Sequence, residues 1–297
     1  MYHAIQRNSV AVMCALMIPL LLPAGPSAAQ GSSPQFDMTK VTENAYSFRS
    51  FLHRNMVLVT SDGVIVTDPI NPVAVDHMMS EIKKITDKPV KLVIYSHNHW
   101  DHIAGAKILK DQGAKIIQHE LAARDTRPSP IVVAADETFS GEKHVVTMGD
   151  QTIELIYVGR SHGSGMIVMR VPKERILHTI DVVTPGRIAF RNMPDFYPQD
   201  WIKALRKIEQ LDFDRIIPGH GPASALRSAV AEQRQYLEDL TVAVAEGTKR
   251  AGSPFAFDKI TEHVKDELRP KYGKWSQFDE WMHMNVDRII LEQRIGW

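Results

Sequence analysis

His97-Asn98-His99-Trp100-Asp101-His102 gathers three imidazoles and a carboxylate in one short stretch. Only Ser96 separates it from the apolar run Lys91-Leu92-Val93-Ile94-Tyr95, whose length and composition read as a buried strand. The carboxyl ends of such strands are where open α/β sheets collect their sites. His97 and His99 are two positions apart, so in extended backbone they project to the same side. Two neutral imidazoles so placed can grip one ion at roughly 2.0–2.1 Å. Asp101 and His102 are positioned to serve a second ion close by, although Asp101 alone would also suit the cap of a helix starting near Ile103.

A metal site needs ligands from elsewhere in the chain, and three candidates stand in similar settings. His162 lies in the glycine-rich turn Gly159-Arg160-Ser161-His162-Gly163-Ser164-Gly165, which allows close backbone approach. Asp181 ends the run Ile176-Leu177-His178-Thr179-Ile180, and His220 sits in Pro218-Gly219-His220-Gly221-Pro222 after another apolar run. His77, His119, His144, His263 and His283 fall on expected helices or less constrained segments and read as surface or packing residues.

Outward from this motif the chain alternates between the two hydrophobic periods. Short β-favouring runs at 45–51, 56–60 and 64–67 open the domain as a meander. Val75, Met78, Met79, Ile82 and Ile85 recur at helical spacing before the 91–95 strand. A helix near 103–109, strands at 115–117, 153–158, 166–171 and from Ile176, a helix at 200–211 and a strand at 214–217 follow. This predicts a mixed α/β domain over 41–224. Beyond Pro222 the pattern is wholly helical, at 225–246, 257–268 and 278–294, a carboxyl-terminal extension over 225–297. Its segment 272–281 concentrates Tyr272, Trp275, Phe278 and Trp281, an aromatic cluster expected chiefly to pack the tail on the domain, with a lid or dimer contact as the other roles.

Composition narrows the function classes. The 297 residues are 44% hydrophobic and 24% charged, ordinary for a globular chain with a sizeable core. Lys plus Arg and Asp plus Glu are both 35, so no global field favours nucleic acid or an anionic membrane. A lone Arg7 precedes the uncharged run 10–22, and Ser27-Ala28-Ala29 follows it. The run is short for a membrane span of roughly 20 residues and reads as an export signal. Cleavage is expected near Ala29, giving a periplasmic or secreted protein with no integral membrane span, and residues 30–40 read as a flexible leader. The single cysteine, Cys14, lies inside the signal, so a thiol nucleophile, thiolate ligand or disulfide is not expected in the mature chain.

The order His-x-His-x-Asp-His at 97–102, with His162, Asp181 and His220, resembles the metallo-β-lactamase superfamily over residues 41–222. The resemblance implies a four-layer αββα sandwich with the site at one edge of its two sheets. It implies that His97, His99 and His162 bind one metal, that Asp101, His102 and His220 bind a second, and that Asp181 bridges both. Asp68, in Val66-Thr67-Asp68-Pro69, matches an acidic residue kept behind the site in the family. Two zinc ions suit this set, with manganese or iron compatible. Such a pair can lower the pKa of water to near 7 and polarise a carbonyl, with Asp101 as the catalytic carboxylate that orients the attacking water and carries a proton. The expected function is therefore exported dinuclear hydrolysis of an ester, lactone, thioester or lactam in a small-molecule substrate. A thiol-free metallo-β-lactamase and a mononuclear iron persulfide dioxygenase, using His97, His162 and Asp181, are the alternatives on this scaffold. Arg187, Arg191 and Asn192 are candidates to meet a substrate carboxylate, whereas Trp100 is expected to pack beneath the ligands.

Overall fold

The structure, a computed structural model, describes residues 35–191 and 195–296. The expected export signal, residues 30–34 of the leader and Asn192 lie outside the described residues.

The first sheet runs in chain order through β1 (Phe36–Lys40), β2 (Ala45–Ser50), β3 (His53–Val59), β4 (Val64–Thr67), β5 (Val90–Tyr95), β6 (Lys115–His119) and β7 (Glu137–Phe139). Its first four strands form the antiparallel meander expected from the alternating runs, and β4 to β7 are mutually parallel. Residues 36–40 therefore do not continue the leader. Phe36 and Met38 alternate with polar residues and pack against the first cluster of the core, a period-two signal hidden by the polar chain before it.

Parallel neighbours require crossovers, and helices supply them. α1 (Pro72–Ile85) connects β4 to β5. The Asn71 side chain accepts a hydrogen bond from the Ala74 amide at 2.9 Å, and Pro72 starts the helix with φ already set. Between β5 and β6 there are two short helices, α2 (Trp100–Ile103) and α3 (Ala106–Asp111), rather than the single expected one. Gly105 separates them, pressed so close to the preceding loop that a Cβ would lie 2.4 Å from the Pro69 carbonyl.

The second sheet contains β8 (Lys143–Met148), β9 (Gln151–Tyr157), β10 (Ile167–Val171), β11 (Ile176–Ile180), β12 (Arg215–Pro218) and β13 (Ala225–Leu226), ordered β13-β12-β11-β10-β9-β8. Helix α4 (Glu120–Asp125) follows β6, and α5 (Pro198–Glu209) carries the chain from β11 to its parallel neighbour β12. The helical tail comprises α6 (Ser228–Ala251), α7 (Phe257–Tyr272) and α8 (Phe278–Ile295). It begins later than its apolar periodicity predicts, because Ala225 and Leu226 first pair with the open edge of β12.

Three apolar clusters separate the layers. Val75, Met78 and Leu109 pack on the outer face of the first sheet, against Val66 and Val93. Leu58, Ile65 and Ile94 meet Leu155, Met169 and Ile217 between the sheets. Leu205, Leu237, Val264 and Val286 cover the outer face of the second sheet over Val168 and Leu177. The result is the expected αββα sandwich, with the tail completing the helical layer that α5 begins. Among the described residues no helix is long and apolar enough to cross a membrane.

Candidate metal centre

Strand ends and short turns deliver every side chain of the centre. His97 follows β5, His99 caps α2, and Asp101 and His102 lie in that single turn. His162 comes from the loop between β9 and β10, Asp181 follows β11, and His220 follows β12. Ile180, immediately before Asp181, has φ 46°, a left-handed conformation that a β-branched residue adopts only under strain. Beside it, Gly219 leaves room for the carboxylate, since a Cβ there would stand 2.7 Å from Asp181 Oδ1.

The structure brings all seven expected residues together, in two groups that fit a dinuclear metal site: His97, His99, His162 and Asp181 in one, and Asp101, His102, His220 and His53 in the other. Asp181 touches both. Its Oδ2 lies 3.3 Å from His162 Nε2 and 3.1 Å from His102 Nε2, and its Oδ1 lies 3.3 Å from His220 Nε2. His53, at the start of β3, holds Asp101 Oδ2 from 3.1 Å. Sequence reasoning passed over it because an isolated histidine at a strand start carries no local signal.

The hydrogen bonds orient these imidazoles for metal binding. The outer nitrogens are engaged: His97 Nδ1 with Ser96 Oγ at 2.7 Å, His99 Nε2 with Asp195 Oδ2 at 2.7 Å, and His220 Nδ1 with the Leu52 carbonyl at 2.7 Å. A partner on one ring nitrogen fixes the tautomer and leaves the other as a lone-pair donor. The inward His97 Nε2, His102 Nε2 and Asp181 Oδ1 are buried with no hydrogen-bond partner. Buried polar atoms are rarely left so, and three of them converging with no thiolate present fit hard or borderline divalent cations. Asp195 is the second residue that sequence reading missed, since its partner His99 lies 96 positions away along the chain.

Electrostatics support the same arrangement. Burial opposes a charge on His102, but Asp181, with Asp101 and Asp68, overcomes it and raises the imidazolium to about 10. A cation at this position must therefore displace a proton. Burial also pushes Asp181 up, yet the histidines around it, His102 first, hold it well below the usual carboxylate range. Behind the site, Asp68 accepts the Ser96 amide at 2.8 Å, and burial raises its carboxyl to about 7. Its neighbour His178 is lowered by burial to about 4 and is neutral.

His53, His99, Asp101, His162, Asp181 and His220 line a cleft of about 1130 Å³ that also includes Trp100, Arg124, Arg127, Arg187, Phe190 and Trp201. Trp100 does not pack beneath the ligands; it is 45% exposed and walls the cleft. Arg187 reaches the cleft with its guanidinium 4.5 Å above the Trp281 ring of α8, while Arg191 turns onto Phe190 at 5.8 Å. In the aromatic cluster, Tyr272 and Phe278 are core residues, and Trp281 meets Phe190 edge-on at 5.0 Å.

A family profile described as the metallo-beta-lactamase superfamily matches residues 49–220. The chain is 28% identical to the 2,4-dinitroanisole O-demethylase subunit alpha of Nocardioides sp. (strain JS1661), over 92% of this chain and 85% of that protein. It is 27% identical to the metallo-beta-lactamase type 2 of Bacillus cereus, over 56% of this chain and 66% of that protein. The solved structure of a metallo-beta-lactamase from Pontibacter korlensis superposes with a TM-score of 0.61 at 20% identity, covering 69% of this chain and 99% of that one.

Proposed function

Because the chain belongs to the metallo-beta-lactamase superfamily, we propose that it is an exported, zinc-dependent hydrolase with a dinuclear centre, cleaving an ester, lactone, thioester or lactam bond in a small anionic substrate. The observation that carries this reading is the Asp181 carboxylate, set between histidines of both groups. His97, His99 and His162 would hold one ion, Asp101, His102 and His220 the other, and Asp181 both. Bound there, the ions supply a water acidic enough to attack at neutral pH and an electrophile for the oxygen that gains charge.

The chain's own residues do the rest. Burial pushes the Asp101 carboxyl up, but the His53 hydrogen bond and the charge of His102 outweigh it and keep Asp101 ionised. With Oδ2 held by His53 Nε2, its carboxylate orients the attacking water and takes its proton. Arg187 anchors the substrate. Its Nε is buried without a hydrogen-bond partner, and burial lowers its pKa, opposed only by the Asp181 charge. A half-buried guanidinium lacking a paired carboxylate is suited to accept one from a ligand. Trp100, Ile188 and Phe190 offer the apolar remainder of the cleft.

One observation favours a second reading. The relative matched along most of this chain, tail included, is named for demethylating 2,4-dinitroanisole. The aromatic walls and the arginine of the cleft suit an activated aryl ether whose leaving phenoxide is stabilised by charge, so such ethers join the candidate substrates.

The test is a turnover screen of aryl esters, lactones, thioesters, lactams and nitroaryl ethers, using zinc-loaded protein from the periplasmic fraction, whose mass also reports cleavage near Ala29. Activity that a chelator removes and zinc restores is expected. No turnover of any class by protein carrying about two zinc ions would overturn the hydrolase reading, and one iron with oxygen uptake would replace it by the dioxygenase. Arg187→Ala should raise KM for anionic substrates by roughly 10- to 100-fold, the worth of a charge-assisted hydrogen bond of about 1.5–3 kcal/mol. Neutral analogues should be unaffected, as steady-state kinetics on matched esters and acids will show.

A further inference from the structure

We propose that α8 of the carboxyl-terminal tail is a positioning element for the first group of ligands, acting through a stripe of polar side chains on one helix face. This rests on reading the two groups as metal sites. The face that α8 turns to the core is otherwise apolar, with Met282, Val286, Ile289 and Ile290 buried. Within it, Asn285 is 0% exposed and Arg288 2%. A tail that needed only to pack would place apolar residues at both positions, since burying an amide and a guanidinium is costly unless each is well bonded.

Their partners explain the choice. Asn285 Nδ2 donates to the carbonyls of Ala189 at 2.9 Å and Arg191 at 3.0 Å, while its Oδ1 accepts from Tyr236 Oη at 2.8 Å. Arg288 Nε donates to the Phe196 carbonyl at 2.6 Å. One turn further, Glu292 Oε1 accepts the Gln199 amide at 3.0 Å. Positions 285, 288 and 292 are spaced by three and four, so they share a helix face. Asn285 holds backbone before Asp195, and Arg288 and Glu292 hold backbone after it.

Asp195 and its neighbours in turn hold two ligands. Its carboxylate fixes the His99 tautomer at 2.7 Å, and its carbonyl accepts the Gly163 amide at 2.9 Å. The Tyr197 amide donates to the Ser161 carbonyl at 2.9 Å, so His162 is clasped from both sides. The line from α8 thus ends on His99 and His162, in the first group. The second group is set instead by β3, α2 and the turn after β12, which α8 does not touch through any of these bonds.

The asymmetry makes the test. Metal-free protein is titrated with cobalt(II), following visible absorption and competition with a chelator to obtain an affinity for each site. Arg288→Met and Asn285→Leu should each weaken one site by several-fold, less than the roughly 10- to 100-fold that follows loss of a direct outer partner of a metal-bound histidine, and leave the other within about twofold. Asp195→Asn should weaken the same site, and Arg288→Lys should recover part of the loss. Ile289→Ala, which removes apolar packing from α8 without touching the stripe, should weaken neither. If the buried replacements do not fold, Glu292→Ala at the end of the stripe gives the same reading with a smaller shift. Equal weakening of both sites, no weakening, or an Ile289→Ala effect as large as that of Arg288→Met would overturn the proposal. Wild-type protein that binds no cobalt would instead overturn the metal-site reading beneath it.

Discussion

Asp181→Ala is expected to remove chelator-sensitive turnover and to take the bound metal from about two ions per chain to one or fewer. The argument is geometric. Every other ligand belongs to one group, whereas Asp181 stands within 3.3 Å of His162, His102 and His220. If the two groups hold ions as proposed, its loss would take from both the one carboxylate set between their histidines. The drop in affinity should exceed the roughly 100-fold that outer partners alone contribute. The protein should stay folded. Asp181 is the largest of the charges that raise His102 against its burial, so loss of the carboxylate shifts this imidazole toward the neutral form that burial favours. Metal analysis by mass spectrometry beside circular dichroism checks both halves. A folded Asp181→Ala that keeps two tightly bound ions would remove this residue from the centre.

The motif at 97–102 made the fold legible because its ligands come with structural context: an apolar strand before them and a tight turn after. The same holds for Asp181 and His220, each at the end of a run buried on both faces, where continuous apolar sequence marks a strand between layers. What stayed illegible lacked such context. β8 alternates exposed Lys143, Val145 and Thr147 with half-buried neighbours, an edge pattern too weak to separate from loop. β13 exists because β12 offers an open edge, not because Ala225 and Leu226 favour extension. His53 and Asp195 joined the centre through contacts 48 and 96 positions away along the chain, and no local period encodes such separations. Trp100 departs from the expected packing for a related reason. In a helix of one turn its neighbour His102 takes the inward direction, which leaves the indole to the cleft.

Asp101→Asn separates binding of metal from use of it. The Asp101 side chain is 53% exposed on the cleft side, unlike the buried Asp181, and its Oδ2 is held by His53 at 3.1 Å with His102 at 3.7 Å. The amide keeps the size and one oxygen donor but accepts no proton. Turnover should fall by roughly 10²- to 10⁴-fold, the range for loss of a positioned general base, with KM changed far less, because Arg187 and the apolar walls remain. Metal content should stay at about one ion per chain or more, since His97, His99, His162 and Asp181 are untouched. His53→Ala should reproduce a smaller part of the kcat loss by freeing the carboxylate to rotate, and should add little when combined with Asp101→Asn, because the two act as one unit. Steady-state kinetics of the single and double variants, with zinc quantified in each, decide the matter. A full-rate Asp101→Asn enzyme would leave this carboxylate as a ligand without a catalytic task, and additive losses would separate His53 from it.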